Sequence, residues 1–131
     1  MNYIILLIAM LFLHIVDDYY LQGVLASMKQ KSWWEKNYSN PLYKNDYVMA
    51  LITHAFSWAV MIHIPVIFYS LIHNIEISNI IFVIIFNVNW IIHAATDHAK
   101  ANLLKINLVQ DQLIHIVQIV VTWMVYMNIF R

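Results

Sequence analysis

The sequence contains no cysteine, one glycine and two prolines among its 131 residues. The absence of cysteine excludes disulfide bonds, iron–sulfur clusters and zinc sites built from thiolates. Charged residues make up only 11% of the chain, whereas about a quarter of the residues in a soluble domain are charged. The formal net charge is zero, so no basic surface argues for a nucleic-acid partner, and we expect none.

Long apolar runs take the place of these residues. The chain is 63% hydrophobic with a mean hydropathy of +0.68. Four segments are long enough to cross about 30 Å of hydrocarbon, and they cover about residues 3–25, 47–71, 79–103 and 108–130. The first run lacks a basic region and a small-residue cleavage site, so we expect a retained helix rather than a signal peptide. The sequence therefore predicts one all-α, integral membrane domain over residues 1–131.

The connections between these segments predict how the helices are arranged. Those after the second and third segments are short, which makes consecutive helices antiparallel neighbours in an up-and-down four-helix bundle. The connection over about residues 29–46 is longer. It has room for a short interfacial helix that carries Trp33 and Trp34 at the level of the lipid headgroups.

Basic residues lie mainly on one side of the predicted bundle. Six lysines follow the first and third segments, whereas the opposite side carries only Arg131. These lysines are Lys29, Lys31, Lys36, Lys44, Lys100 and Lys105. By the positive-inside rule, we expect these two loops in the cytoplasm and both termini outside.

Each segment carries one histidine at a similar depth in its cytoplasmic half. The four are His14, His54, His93 and His115. Asp18 and Asp97 follow the first and third of them by four residues, and Asp111 precedes His115 by four. Residues four apart share a helix face, and ionisable side chains rarely face lipid. We therefore expect all these side chains to meet at one polar site inside the bundle. The order also suggests two pseudo-repeated hairpins, each with His-x-x-x-Asp on its first helix.

Histidine and aspartate at this spacing are typical of a metal site without thiolates. The predicted ligands of one or two divalent ions, with zinc favoured over manganese or iron, are His14, Asp18, His54, His93, Asp97 and His115. Asp111, Gln112 and Lys100 are the predicted catalytic residues, Asp111 as a general base or bridging ligand. Gln22 and Lys100 are predicted to bind the substrate.

Simpler interpretations exist for several of these residues. His63 and His73 fit ordinary satisfied polar contacts, and Asp17 fits a cytoplasm-facing or interhelical partner. Lys100 could be a snorkelling lysine. The whole polar layer could also be a hydrogen-bond network that holds the helices together.

The ordered motifs resemble a family of small bacterial and phage membrane proteins, the domain of unknown function 3307. They read H14IVDDYYLQ22, H54, H93AATDHAK100 and D111QLIH115, and they span about residues 13–115. The resemblance implies functional positions at His14, Asp18, Gln22, His54, His93, Asp97, Lys100, Asp111, Gln112 and His115. Asp17, Trp33 and Trp34 look particular to this chain. The resemblance implies a bacterial inner membrane but no activity. A distant likeness to inner-membrane metal-dependent hydrolases is an analogy only.

The leading hypothesis is a membrane-embedded, metal-dependent hydrolase that acts from the cytoplasmic side. Its substrate would be a phosphoester or amide of a lipid or small molecule, and membrane lipids would surround it. One alternative is a small transporter or channel for protons, metal ions or a solute, because intramembrane His and Asp also form proton relays. Four helices make a thin pathway, so that reading calls for a homo-oligomer. The other alternative is a non-catalytic phage or bacterial interaction protein.

Overall fold

The fold consists of helices joined by turns. The structure is a computed structural model that describes residues 3–130, within which it contains no strand, and it is 83% helical. The α-helices in this range are α1 (Tyr3–Ile15), α2 (Leu25–Met28), α3 (Lys31–Asn37), α4 (Asp46–His73), α5 (Asn79–Ala101) and α6 (Leu108–Ile129). A π-helical turn, Val16–Leu21, continues α1, and a 3₁₀ turn, Pro41–Tyr43, precedes α4. The prediction of an all-α fold is confirmed.

Four helical segments of the described chain are long and apolar enough to cross a membrane. They are Tyr3–Leu21, Pro41–His73, Asn79–Ala101 and Leu108–Ile129. Their outer faces leave large apolar side chains exposed, among them Ile8, Phe68 and Ile91 at 59%, 60% and 65%. Exposed apolar surface on this scale is unfavourable in water and is expected where lipid covers it. The segments agree with the four helices that the sequence predicts.

The first helix ends earlier than the sequence indicates. It stops at Leu21 instead of about residue 25, because Gly23 adopts the left-handed conformation with φ +49°. A residue in that conformation cannot continue a right-handed helix. The chain turns there into α2 and α3. Trp33 and Trp34 lie on α3, the short helix that the sequence predicts in this connection.

The four long helices form a closed bundle. α1 and α5 do not follow each other in the chain, and each packs against both α4 and α6. The turn after α4 begins at Asn74, which adopts a left-handed conformation with φ 51°. α6 begins with a capping box, in which Asn107 and Gln110 exchange side-chain and backbone hydrogen bonds. These sharp ends keep consecutive helices antiparallel and side by side.

The interior changes from apolar to polar along the bundle. Leu6, Met10 and His14 are buried at four-residue spacing on one face of α1. Around Leu6 and Met10 the core is apolar and includes Ile62 and Val66 of α4. His14 begins the polar half, which lies at the end of α1 and α5 and at the start of α4 and α6. The bundle thus places its buried carboxylates and four of its histidines in one layer near one end. A smaller hydrogen-bonded group of Asn89, Gln118 and Thr122, and also His63, is buried further along the bundle.

Candidate metal centre

His54 lies at the centre of a buried cluster of histidine and aspartate side chains. Its Nε2 atom lies 3.3 Å from Asp18 Oδ1, 3.3 Å from His93 Nε2 and 3.4 Å from Asp97 Oδ2. All four residues are buried, and His93 is fully so. The four come from three helical segments: the π-helical turn after α1, α4 and α5. The structure therefore brings together side chains for which the sequence indicates only a similar depth along their helices.

Three atoms of this cluster are spaced like the ligands of one ion. Asp18 Oδ1, His54 Nε2 and His93 Nε2 form a triangle with sides of 3.3, 3.3 and 3.9 Å. Ligand atoms about 2.0–2.2 Å from a tetrahedral zinc ion lie about 3.3–3.6 Å apart. Asp18 Oδ1 is buried and has no hydrogen-bond partner in the described chain. This group could hold a divalent ion with little rearrangement.

A second group of ligand atoms surrounds His115. His93, Asp97 and His115 lie within reach of one common ion. His115 Nε2 is 3.6 Å from Asp97 Oδ1 and 3.5 Å from Asp111 Oδ1, and its ring stacks on that of His93 with centroids 4.1 Å apart. Within residues 3–130, neither His115 Nε2 nor Asp111 Oδ1 has a hydrogen-bond partner. Buried polar atoms are nearly always satisfied, so these two atoms are available to a bound ligand. Atoms outside the cluster, such as the Tyr126 hydroxyl, also have no partner among the described residues, so the convergence of the ligand atoms is the stronger observation.

The π-helical turn explains how two consecutive aspartates both reach the interior. Within it the Gln22 N–H donates to the carbonyl of Asp17, five residues back, at 3.1 Å. π-Helical turns are rare in proteins, and those that occur are often found at functional sites. Asp17 accepts a hydrogen bond from Ser57 Oγ at 2.6 Å and lies 3.7 Å from His54 Nδ1, on the side of the ring opposite Asp18. The interhelical reading of Asp17 is correct, because its bond to Ser57 joins the end of α1 to α4. Asp17 Oδ2 has no hydrogen-bond partner in the described chain, and 3.7 Å is too long for a hydrogen bond to His54 Nδ1, so Asp17 lies beside this ring without being bonded to it.

His14 lies next to the ligand groups and uses both ring nitrogens elsewhere. Trp58 Nε1 donates to His14 Nδ1 at 2.7 Å, so the proton of the neutral ring is on Nε2, which donates to Gln112 Oε1 at 3.2 Å. The remaining ion-pair distance, from Nδ1 to Asp18 Oδ2, is 3.6 Å. The role of His14 as a metal ligand stays a prediction. In this arrangement it positions Gln112 instead.

Trp58 forms a wall of the cluster, which the sequence does not indicate. Its ring is fully buried and stacks on His93 with centroids 4.2 Å apart. The sequence favours packing or interfacial roles for all tryptophans, since nothing in the local pattern distinguishes Trp58 from the others. Only its position on α4, one turn after His54, could have pointed to the site.

Two lysines bring positive charge to the carboxylates. Lys29 is buried and donates to Asp97 Oδ2 at 2.6 Å. Lys100 donates to Asp111 Oδ2 at 2.5 Å, and its side chain is a quarter exposed. Sequence analysis places Lys29 only in the cytoplasmic loop, because its approach to the cluster depends on the turn at Gly23. Lys100 thus lies at the exposed edge of the cluster.

The two predicted glutamines differ in their contacts. Gln112 Nε2 donates to Asp18 Oδ2 at 3.1 Å and to Asp111 Oδ2 at 3.2 Å, so this side chain links α6 to the end of α1. The Gln22 amide donates to the backbone carbonyl of Asp18 in its own helix. The substrate-binding role of Gln22 stays a prediction.

His63 and His73 lie outside the cluster. His63 Nδ1 is hydrogen-bonded to the Ala59 carbonyl at 2.7 Å, and its ring lies against Phe82. The ring of His73 lies 4.4 Å from that of Tyr69. The satisfied-contact prediction holds for only one nitrogen of His63, because its Nε2 atom is buried without a hydrogen-bond partner among the described residues. Both histidines lie outside the cluster, which makes them useful controls.

A cleft of about 630 Å³ opens beside the cluster, between α1 and α6. It is lined by Leu11, His14, Ile15, Tyr19, Tyr20, Gln112 and Ile116. Most of its wall is apolar, and its polar residues are His14 and Gln112. Since Gln112 also contacts Asp18 and Asp111, the cleft reaches the edge of the candidate metal centre.

Comparisons of the chain with models of protein families, with curated proteins and with solved structures found no match. The resemblance to the domain of unknown function 3307 stays a prediction.

Proposed function

We propose that the protein is a membrane-embedded, metal-dependent hydrolase that cleaves a phosphoester of a lipid from the cytoplasmic side. The observation that carries this proposal is the triangle of Asp18 Oδ1, His54 Nε2 and His93 Nε2, with sides of 3.3, 3.3 and 3.9 Å. Three protein ligands leave a coordination position open, which is typical of catalytic rather than structural metal sites.

The charge balance supports a cation at this cluster. Four carboxylates converge there and two ammonium groups pair with them, so two negative charges remain when the histidines are neutral. The carboxylates belong to Asp17, Asp18, Asp97 and Asp111. Uncompensated buried charge is costly, above all among lipid-facing helices. One divalent ion bound by neutral histidines offsets this charge; without a metal, two protonated histidines would have to do so.

The residues around the triangle suit hydrolysis. A divalent ion there would make a bound water nucleophilic at neutral pH and polarise the substrate oxygen. In the reaction the water oxygen forms a bond to phosphorus, the ester P–O bond breaks, and the proton released by water passes to the leaving oxygen. Asp17 lies beside the second ring nitrogen of His54, and Gln112 fixes the position of Asp18 by a hydrogen bond. Lys100, at the exposed edge, provides positive charge for the phosphoryl group.

The apolar cleft supports a lipid as the substrate. It faces the outside of the bundle at membrane depth, and Leu11, Ile15 and Ile116 line it. An acyl chain in this cleft would place its headgroup beside Gln112, which contacts Asp18 and Asp111. The amide hydrolysis that the sequence left open lacks such support, because a neutral amide would not need the charge of Lys100.

The closed far end of the bundle favours a site over a transport pathway. In the described part of the chain, the interior beyond the polar layer contains apolar side chains such as Leu6, Val66 and Met127 together with a few buried polar groups, none of which is a carboxylate or a lysine. These polar groups include His63 and the hydrogen-bonded set of Asn89, Gln118 and Thr122. Proton relays and ion pathways need polar groups or water along their length. The cluster instead reaches the surface near one end, through the cleft and Lys100.

Metal content and hydrolysis test the proposal together. The untagged chain, purified in mild detergent at neutral pH, should contain at least one divalent ion per molecule by elemental analysis. It should also release headgroup phosphate from phospholipid vesicles. His54→Gln should lose most of the metal and the activity, whereas His63→Gln, a matched change on the same helix, should keep both.

Other outcomes would contradict the proposal. A folded protein without metal, or a metal-loaded protein that releases no phosphate, would exclude the hydrolase. Flux of protons or metal ions through reconstituted vesicles in the absence of hydrolysis would favour the transporter. Equal losses in His54→Gln and His63→Gln would show that the cluster has no special role.

A further inference from the structure

We infer that the cluster holds two divalent ions and that Asp97 bridges them, with Asp111 and His115 completing the second position. This inference rests on the proposed metal-dependent function and concerns the same site. It assigns a ligand role to Asp111, for which the sequence leaves a general base and a bridging ligand open.

His93 belongs to both groups of ligand atoms. The Nε2 atom of a neutral imidazole has a single lone pair, so it can bind only one ion. Its distances of 3.3 Å to His54 Nε2 and 3.9 Å to Asp18 Oδ1 assign it to the first position. The second group must therefore find another ligand in place of His93.

The two carboxylate oxygens of Asp97 face different histidine nitrogens. Oδ2 lies 3.4 Å from His54 Nε2 and 3.8 Å from His93 Nε2, on the side of the first position. Oδ1 lies 3.6 Å from His115 Nε2, on the other side. A carboxylate placed in this way can give one oxygen to each of two ions. With both ions bound, the first ion would have four protein ligands, so the open coordination position would lie on the second ion, which would have three. In two-metal sites such ions lie about 3.5–4 Å apart.

The second metal position lies among His115, Asp97 and Asp111. His115 Nε2 lies between Asp97 Oδ1 at 3.6 Å and Asp111 Oδ1 at 3.5 Å. His115 and Asp111 are both fully buried. Among the described residues, neither His115 Nε2 nor Asp111 Oδ1 has a hydrogen-bond partner. A cation bound by these three atoms would satisfy two buried polar atoms that are otherwise unpaired.

The net charge of the cluster indicates which kind of ligand the two-ion site would bind. With neutral histidines and both lysines in place, a single divalent ion neutralises the cluster and a second gives it a net charge of two positive units. This charge is as costly to bury as the two negative units without metal, unless a bound anion offsets it. Such a site favours a phosphoryl group over a neutral substrate. Lys29 Nζ contacts Asp97 Oδ2 at 2.6 Å, the oxygen that faces the first position. Binding of that ion therefore competes with Lys29 for this oxygen.

Loading of the full-length protein with Mn²⁺ in mild detergent tests this inference. The wild-type chain should bind two Mn²⁺ per molecule, and electron paramagnetic resonance should show the exchange-coupled spectrum of a bridged pair. Asp111→Asn should bind one Mn²⁺ and give the six-line spectrum of an isolated ion. Asp97→Asn should lose the coupling. Asp46→Asn, a change of the same type at the start of α4, should keep the coupled pair.

The outcomes separate this inference from the proposed function. One isolated Mn²⁺ per wild-type chain would overturn the two-ion site and leave a mononuclear hydrolase possible. Two uncoupled ions, or a coupled pair that persists in Asp97→Asn, would overturn the bridging role of Asp97. Binding of no ion by the folded wild-type protein would overturn both proposals. Because the wild-type spectrum decides the first question, failure of a variant to fold would not leave it open.

Discussion

Asp17 is placed to act on the candidate metal centre through the imidazole ring of His54. Its carboxylate accepts a hydrogen bond from Ser57 Oγ at 2.6 Å and lies 3.7 Å from His54 Nδ1. The opposite nitrogen of that ring, Nε2, faces Asp18 and His93. A carboxylate that accepts a hydrogen bond from the second nitrogen of a ligating histidine fixes the orientation of the ring and makes it a stronger ligand. We predict that Asp17 forms this bond when a metal binds, by closing the 3.7 Å separation to hydrogen-bond length.

Asp17→Asn should therefore weaken metal binding without abolishing it. Loss of such an outer partner lowers metal affinity by about 10- to 100-fold, and the number of ions bound at saturation should not change. Competition with a chelator of known affinity measures the effect. Asp46→Asn serves as the control. An unchanged affinity, or a loss as severe as that of His54→Gln, would contradict the orienting role.

At the scale of helices, the end of α1 determines the shape of the site. The π-helical turn Val16–Leu21 turns Asp17 and Asp18 inward together, and Gly23 then redirects the chain into α2. Lys29 follows directly after α2 and reaches Asp97. A straight α-helix through this region would have carried the chain away from the bundle.

Gly23→Ala should destabilise the protein, and Gly23→Asn should do so much less. A residue with a Cβ in the left-handed conformation costs about 1–2 kcal/mol, and asparagine tolerates it better than alanine. A Cβ at this position would meet only the Leu21 carbonyl oxygen at 3.8 Å, so the cost comes from the backbone rather than from a clash. The free energy of unfolding in detergent measures it. Equal losses in the two variants would contradict this explanation.

The cleft between α1 and α6 provides a second test at this scale. Ile116→Trp should fill it, which should raise the KM for a long-chain phospholipid and leave hydrolysis of a short-chain, soluble phosphoester unchanged. Val117→Trp, which lies on the face of α6 toward α5, is the matched control and should leave both reactions unchanged. A similar effect on both substrates would mean that the cleft does not bind the acyl chain.

For the whole molecule, the asymmetry of basic residues predicts the orientation in the membrane. The exposed loop that contains Ser39 should lie in the cytoplasm, and the turn that contains Ser78 should lie outside. The chain has no cysteine of its own, so Ser39→Cys and Ser78→Cys each introduce a unique thiol. In intact cells an impermeant maleimide should label only the Ser78 variant. Labelling of the Ser39 variant alone would reverse the orientation and the proposed cytoplasmic access.

The sequence by itself determined the class of the protein, the number of its long helices and the depth of its polar layer. Apolar runs of this length form helices in a membrane whatever their neighbours are, because the backbone must satisfy its hydrogen bonds within the segment. The spacing of His93 and Asp97 follows from the same helical geometry. These features depend only on residues close together in the chain, so a local pattern is enough to predict them.

The tertiary structure alone decided which polar groups meet. Lys29 pairs with Asp97, which lies 68 residues away in the sequence. Trp58 donates a hydrogen bond to His14, which lies 44 residues away. The two oxygens of Asp97 face separate groups only because α4 and α6 approach α5 from different sides. Contacts of this kind depend on helix rotation, on the π-helical turn and on the turn at Gly23. None of these follows from hydropathy or spacing, since each reflects packing between segments that are distant in the chain.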